Sequence, residues 1–228
     1  MPSTPTLYPL SESQISDFRH KGHILLPGVA TPEEIARFQP AIREASYRHN
    51  TEQRALEDRD TYGKAFLQIM NLWRVDEEVK AYVFAQKFAH IAARLLGVEK
   101  VRIYHDQALY KEPLGGYTPW HQDQYYWPLD TEKTVTLWMP LVDITDDLGM
   151  LTFASGSHLK GAVESAAISD ESERVFEEYV HNQGFEVSKA RTMKAGDATF
   201  HMGWTIHCAG PNRSKTTTRE VMTIIYYA

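Results

Sequence analysis

Near residue 101 the hydrophobic period of this chain changes, and that change limits its folds more than any other feature. Before it, apolar residues recur three and four apart, which places them on one face of a helix. After it they alternate, which places them on one face of a strand. Helices first and strands afterwards give an α+β protein that is mainly β with flanking helices. Several short strands punctuated by Pro113, Gly115, Gly116, Gly149, Gly156, Gly196, Gly210 and Pro211 point to a β-barrel or double-sheet jelly roll.

The local signals fill in this outline. Ser13 is the expected cap of a helix over Gln14 to Lys21, with Ile15 and Phe18 facing inward and Gly22 ending it. His23 to Leu26 reads as a short strand. Thr31-Pro32-Glu33-Glu34 is a capping box with proline at the first helical position, opening a helix that carries Ile35, Phe38 and Ile42. One long helix is expected from Glu77 to Leu96, closed by Gly97. Strands are expected at Val101 to Lys111, Thr134 to Asp143, Met150 to Ala154, Ala198 to His201 and Val221 to Tyr227. No repeat or low-complexity linker interrupts the 228 residues. They therefore read as one domain, helical over about 1–100 and a jelly-roll core over about 101–228. Ser169 to Gly184 is an acidic helical excursion with Val175, Phe176, Tyr179 and Val180 on one face, either a lid over the barrel mouth (169–184) or an outer buttress.

Composition excludes several classes of partner. Lys plus Arg total 24 against 30 Asp plus Glu, so no basic excess serves nucleic acid or an anionic membrane. No apolar run reaches the length of a membrane span, and Met1-Pro2-Ser3-Thr4-Pro5 lacks the regions of a signal peptide. Cys208 is the single cysteine and cannot form an internal disulfide, which fits a reducing cytoplasm. The expected partner is a small-molecule substrate, and no feature of the sequence sets an oligomeric state.

Of the ten histidines, most carry no chemical signal. His105 and Asp106 alternate to opposite faces of one strand and cannot chelate together. His121-Gln122-Asp123 differs, because residues two apart on an extended segment project to the same side. His207 is the best source of a second imidazole. Two histidines and one carboxylate leave three positions of an octahedron open, the pattern of non-haem Fe(II) oxygenases. His-x-Asp alone is weak, and the context adds weight. An oxygenase using 2-oxoglutarate needs a permanent cation for the far carboxylate, and the planar fork of arginine suits it. Arg219 is placed to supply it, its alternative being a surface residue paired with Glu220. Arg213 ranks below it, within a Pro-Asn-Arg-Ser turn. Cys208 alternates away from His207. His201 either faces the cavity or is a buried, hydrogen-bonded histidine. Lys111, in line with Gln107 and Leu109, either meets a substrate carboxylate or ends the strand in solvent. Tyr125 and Trp127 are candidates for an aromatic substrate pocket, with Tyr117, Trp120 and Tyr126 nearby.

With these residues in place, the sequence resembles the phytanoyl-CoA dioxygenase family of Fe(II)/2-oxoglutarate oxygenases over nearly its whole length. The likeness runs through Gly22-His23-Ile24-Leu25, Thr31-Pro32-Glu33-Glu34-Ile35, Trp120-His121-Gln122-Asp123, Thr136-Leu137-Trp138 and Gly149-Met150-Leu151-Thr152-Phe153. It continues through Ser155-Gly156-Ser157-His158, Gly196-Asp197 and the stretch from His207 to Arg219. The resemblance implies a double-stranded β-helix, a cupin-like jelly-roll barrel whose open end holds the iron. It implies His121, Asp123 and His207 as ligands of Fe(II), Arg219 as the anchor of 2-oxoglutarate, and O2 as the oxidant. It also implies Trp138, Gln107 and Gln68 beside the co-substrate, Gln68 coming from the helical part. Halogenating relatives replace the carboxylate, so Asp123 implies hydroxylation or related oxygen chemistry, with succinate and CO2 released. No basic cluster suits the phosphates of coenzyme A, and a small secondary metabolite or amino-acid-like compound fits better. The alternatives are a 2-oxoglutarate-independent cupin-type metalloenzyme, a zinc hydrolase and a non-catalytic jelly-roll ligand-binding protein. Dependence on Fe(II) and on 2-oxoglutarate separates them.

Overall fold

Two antiparallel sheets face each other across a cavity, and helices cover the outside. The computed structural model describes residues 7–163 and 167–228. In chain order the elements are α1 Glu12–Lys21, β1 His23–Leu26, α2 Pro32–His49, α3 Thr61–Ala65, β2 Leu67–Met70, α4 Glu77–Val83 and α5 Gln86–Leu96. There follow β3 Arg102–Lys111, β4 Thr118–His121, β5 Thr134–Pro140, β6 Ile144–Thr145, β7 Leu151–Ser155, α6 Asp170–Gln183, β8 Glu186–Lys189, β9 Thr192–Met193, β10 Ala198–Met202, β11 His207–Ala209 and β12 Arg219–Tyr227. The larger sheet runs β1-β10-β5-β12-β3-β2 and the smaller β4-β11-β7-β8, with β6 and β9 paired apart from both. This is the jelly-roll arrangement expected from the sequence.

Alternation gives each face of the larger sheet its task. On β12, Met222, Ile224 and Tyr226 point outward; on β5, Val135, Leu137 and Met139 do the same. These side chains meet Phe18, Phe38, Tyr82, Phe88, Ile91 and Leu95 of the helices in one buried core. The intervening residues Thr136, Trp138, Thr223 and Ile225 line the cavity. Every residue of β5 is therefore buried, although only half of them pack against helices. Leu137 is fully enclosed.

The helical part departs from the sequence reading in three places. Ser11, not Ser13, caps α1, because Gln14 lies three residues beyond Ser11 and completes a capping box. The expected long helix breaks at Phe84 and Ala85 into α4 and α5. The break has a packing cause: α4 packs on α2 and α5 packs on α1 and β5, so one straight axis cannot serve both. Gln68 lies on the short strand β2, paired with β3, and not in a helix. The Thr31 capping box and the His23–Leu26 strand form as expected.

A knot of contacts around Gly22 joins the two sheets along one side. Its carbonyl accepts from Met202 N and Thr205 Oγ1. Its φ of 78° and the crowding of His158 against any added Cβ leave room only for glycine. The next residue, His23 on the edge of the larger sheet, reaches Ser155 of the smaller sheet (Nε2 to Oγ, 2.9 Å) and stacks on Phe153 at 4.4 Å. Helix α6 stands behind the smaller sheet. Ser169 caps it, Gly184 ends it, and Phe176 and Val180 pack on Trp120, Ala154 and Ile206.

Two stability measurements test this architecture. Leu137→Ala should cost about 3 kcal/mol in denaturant unfolding by leaving a void between β5 and the helices, and a loss below about 1 kcal/mol contradicts that packing. Burial, helped by the charges of His201, Lys21 and His158, lowers His23 from 6.5 to about 4. The unfolded chain then takes up this proton first as pH falls, so the His23 contribution is complete above pH 6.5 and lost by about pH 4. His23→Gln should flatten the stability–pH curve across that window by about one proton; an unchanged slope contradicts the assignment.

Candidate active site

Strands β4 and β11 are neighbours in register, with His121 directly opposite His207. Both imidazoles therefore leave the smaller sheet on the same face, with ring centroids 4.2 Å apart. Each ring is held by its own backbone two residues back. His121 Nδ1 donates to Pro119 O (2.8 Å) and His207 Nδ1 donates to Thr205 O (2.9 Å). These bonds put the remaining proton on Nδ1 and leave each Nε2 free as a ligand.

Gln122 is extended (φ −121°, ψ 126°) and points the other way. Its amide donates to Gly161 O and Trp204 O and accepts from Val163 N, pinning three loop positions behind the site. Asp123 then starts a 3₁₀ turn that brings its carboxylate back beside the two histidines. Oδ1 lies 3.5 Å from His121 Nε2 and 3.7 Å from His207 Nε2. Oδ2 accepts from Thr136 Oγ1 (2.9 Å) and from His201 Nε2 (3.1 Å). One carboxylate oxygen is thus committed to the protein and the other is left for a metal.

The donor set suits a divalent first-row ion. Among the described residues, His121, Asp123 and His207 form the one cluster of three such side chains, their ligand atoms all within 4.8 Å of one another. Burial, and then the nearby His121 and His201, holds His207 well below the ordinary histidine range. Burial alone raises Asp123, but the imidazoles of His207, His121 and His201 gathered around it outweigh that and hold the carboxyl well below its ordinary value. Neutral imidazoles and an ionised carboxylate are the protonation states that ligation requires.

The three ligands open on a cavity of about 250 Å³ lined by both sheets. Tyr62, Phe66, Tyr104, Tyr126 and Trp127 form much of its wall. A polar rail runs along the larger sheet: Tyr62 OH donates to Gln68 Oε1 (2.7 Å), and Gln68 Nε2 donates to Gln107 Oε1 (3.0 Å). His105 continues it, lowered in pKa by burial and so a neutral group at physiological pH. At the inner end stand Leu109, Thr118, Trp138, Leu151 and Ala209.

Arg219 lies behind Trp138, only 1% exposed, with its guanidinium carbon 5.4 Å from the centre of that ring. Nη1 donates to Gly149 O (2.7 Å), Nε has no partner, and no carboxylate pairs with the group among the described residues. Burial lowers its pKa to about 9. Glu220, the alternative partner from the sequence, instead binds Arg43 and Gln39 on the outer face. Arg213 is exposed and faces Asp147 at 3.5 Å.

The structure brings most of the sequence candidates together and displaces two. Trp127, Trp138, His201, Gln107 and Gln68 border the cavity. Tyr125 does not: it is 46% exposed, and Tyr126 takes the wall position. The cause is the 3₁₀ turn, in which residues three apart share a side, so Asp123 and Tyr126 face inward together. Lys111 is neither a solvated strand end nor a wall residue; it is fully buried, and its ammonium donates to Gly116 O and Thr118 Oγ1. His201 lies on β10 and His207 on β11, in different sheets, and they meet because those sheets face each other. Sequence reasoning missed Thr136, His105 and Tyr62. Thr136 was within reach, since it alternates with Trp138 on the same strand.

Fold and site together define a jelly-roll protein with a two-histidine, one-carboxylate metal centre. The family model described as phytanoyl-CoA dioxygenase (PhyH) matches residues 18–221, and the chain belongs to this family. The probable alpha-ketoglutarate-dependent hypophosphite dioxygenase of Stutzerimonas stutzeri is 26% identical over 156 residues, covering 67% of this chain and 53% of that protein. The chain thus spans about half the length of that curated relative. Among solved structures, the non-heme alpha ketoglutarate dependent carbocyclase SnoK from nogalamycin biosynthesis superposes with a TM-score of 0.82 at 26% identity, covering 98% of this chain and 87% of that one. The epimerase SnoN, in complex with Fe3+, alpha ketoglutarate and nogalamycin RO, gives a TM-score of 0.78 at 22% identity, covering 95% of this chain and 82% of that one, a likeness of fold.

Thr136→Val tests the support of the metal centre. Removing one of the two bonds to Asp123 Oδ2 should weaken binding of Fe(II) or Co(II) about tenfold in an anaerobic titration, and unchanged affinity contradicts the assigned role.

Proposed function

We propose that this chain is an Fe(II)- and 2-oxoglutarate-dependent dioxygenase that hydroxylates, or otherwise oxidises, a small organic substrate, with release of succinate and CO2. One observation carries the reading: the converging donors of His121, Asp123 and His207 open on the same cavity whose inner end is backed by the buried, acid-free Arg219. Metal donors alone fit many ions. A buried guanidinium without a carboxylate calls for an anion, and the far carboxylate of 2-oxoglutarate is such a group.

In this mechanism His121 Nε2, Asp123 Oδ1 and His207 Nε2 would hold the iron. Arg219 fixes the far end of 2-oxoglutarate, with Trp138 alongside, and Gln107 and Gln68 border its path. When bound, Fe(II) and 2-oxoglutarate would supply the oxidising chemistry, with succinate and CO2 as co-products. Thr136 and His201 keep Asp123 oriented through Oδ2. Tyr104, Tyr126 and Trp127 exclude water and press the substrate toward the metal side of the cavity. Aromatic walls with a short polar rail suit a secondary metabolite or an amino-acid-like compound. SnoK, from nogalamycin biosynthesis, supports that substrate class. Helix α6 packs behind β4, the position of an outer buttress, while Ile168 just before it borders the cavity. Cys208, the single cysteine, is partly buried and free, which supports the cytoplasm as the compartment; no helix among the described residues is long and apolar enough to cross a membrane.

The test is succinate formation from 2-oxoglutarate with Fe(II) and O2. Wild-type protein should form succinate, and His207→Ala should form none. Arg219→Ala should raise the KM for 2-oxoglutarate by about a hundredfold while leaving metal affinity within a few-fold. Succinate formation by His207→Ala, or an unchanged KM in Arg219→Ala, overturns the proposal.

A further inference from the structure

Arg219 is not the only buried cation at the inner end of the cavity. On β3, His105, Gln107 and Leu109 line the cavity in alternation, and Lys111 is the next residue in that row. On β12, Ile225 and Thr223 do the same, and Arg219 ends the row. Register places Arg219 directly opposite Lys111, so both side chains enter the barrel from adjacent strands on the same face. Lys111 is 0% exposed, and no carboxylate pairs with it among the described residues. The nearby acids are committed elsewhere: Glu112 to Arg59, and Glu220 to Arg43 and Gln39.

Gly149 separates the two cations. Its carbonyl accepts from Arg219 Nη1, and a Cβ on it would lie 2.8 Å from Lys111 Cδ. Burial, and then the charge of Arg219, pushes the Lys111 ammonium well below its ordinary pKa. Two enclosed like charges repel one another, and an anion within reach of both relieves them. Lys111 is aimed by Thr118, whose Oγ1 accepts from its Nζ at 3.3 Å, and Thr118 itself lines the cavity.

We propose that Lys111, presented through Thr118, is a second cation for the far carboxylate of 2-oxoglutarate, acting beside Arg219. The inference rests on the reading of the cavity as a 2-oxoglutarate site. It assigns Lys111 to the co-substrate and not to the prime substrate. One carboxylate oxygen then falls to the guanidinium, the other to the Thr118–Lys111 pair.

The test compares two keto acids by anaerobic calorimetric titration of the Fe(II) protein. 2-Oxoglutarate carries the far carboxylate; 2-oxopentanoate has the same carbon chain ending in a methyl group. Wild-type protein should favour the diacid. Lys111→Met should weaken 2-oxoglutarate by about tenfold or more and leave 2-oxopentanoate within about twofold. Thr118→Val, which keeps the lysine and the volume of the side chain, should show the same selective loss at a smaller size and decides the matter if Lys111→Met fails to fold. Equal weakening of both acids assigns Lys111 a purely structural role and overturns the proposal, as does an unchanged ratio in both variants. A wild-type protein without preference for the diacid overturns the 2-oxoglutarate reading itself, a result distinct from the failure of Lys111 alone.

Discussion

The site depends on one strand pairing, that of β4 with β11, which sets His121 opposite His207. A slip of one residue in that ladder would turn one imidazole to the far face of the sheet and leave the other alone. The pairing is secured from both sides. Outside, Trp120 packs under α6, and its backbone N–H donates to Glu173 (2.8 Å). Inside, each ring is tied to its own backbone, and Asp123 is tied to the opposite sheet through Thr136 and His201. The carboxylate therefore bridges the two sheets, and sandwich and metal centre hold each other in place.

The same division between faces explains why a cavity survives in a well-packed barrel. Apolar burial is concentrated on the outer face of the larger sheet, where the helices meet Leu137, Met139, Met222 and Ile224. That core contributes the stability and leaves the inner face available for threonine, glutamine, histidine, lysine and arginine. Those polar groups carry an energetic penalty: Arg219 and Lys111 are enclosed cations, and Arg219 Nε has no partner. A bound anion would supply the partner that Arg219 lacks.

Much of this was legible in the sequence. The change of period at residue 101 marked the transition from helices to sheets, the Thr31 capping box placed the start of α2, and His121, Asp123, His207 and Arg219 stood out by residue type and spacing. What was not legible has a common physical cause. Short strands such as β2 and β11 have too few residues to show a period, so Gln68 read as part of the helical region. The 3₁₀ turn after His121 exchanged Tyr125 for Tyr126 at the cavity wall. The break between α4 and α5 arises from two packing partners distant in sequence. Lys111 looked like a solvated strand end because only the register with Arg219 shows that the strand runs on into the closed end of the barrel.

The central claim is that His121, Asp123 and His207 hold Fe(II) with open positions that 2-oxoglutarate occupies. It is tested most directly by adding Fe(II) and then 2-oxoglutarate, without oxygen, to metal-free protein and recording the visible spectrum. A weak metal-to-ligand charge-transfer band that appears only with both additions, and that is absent in His207→Ala, is the expected result. A folded protein that binds iron yet shows no band on adding 2-oxoglutarate would contradict the claim and leave the family likeness as one of fold alone.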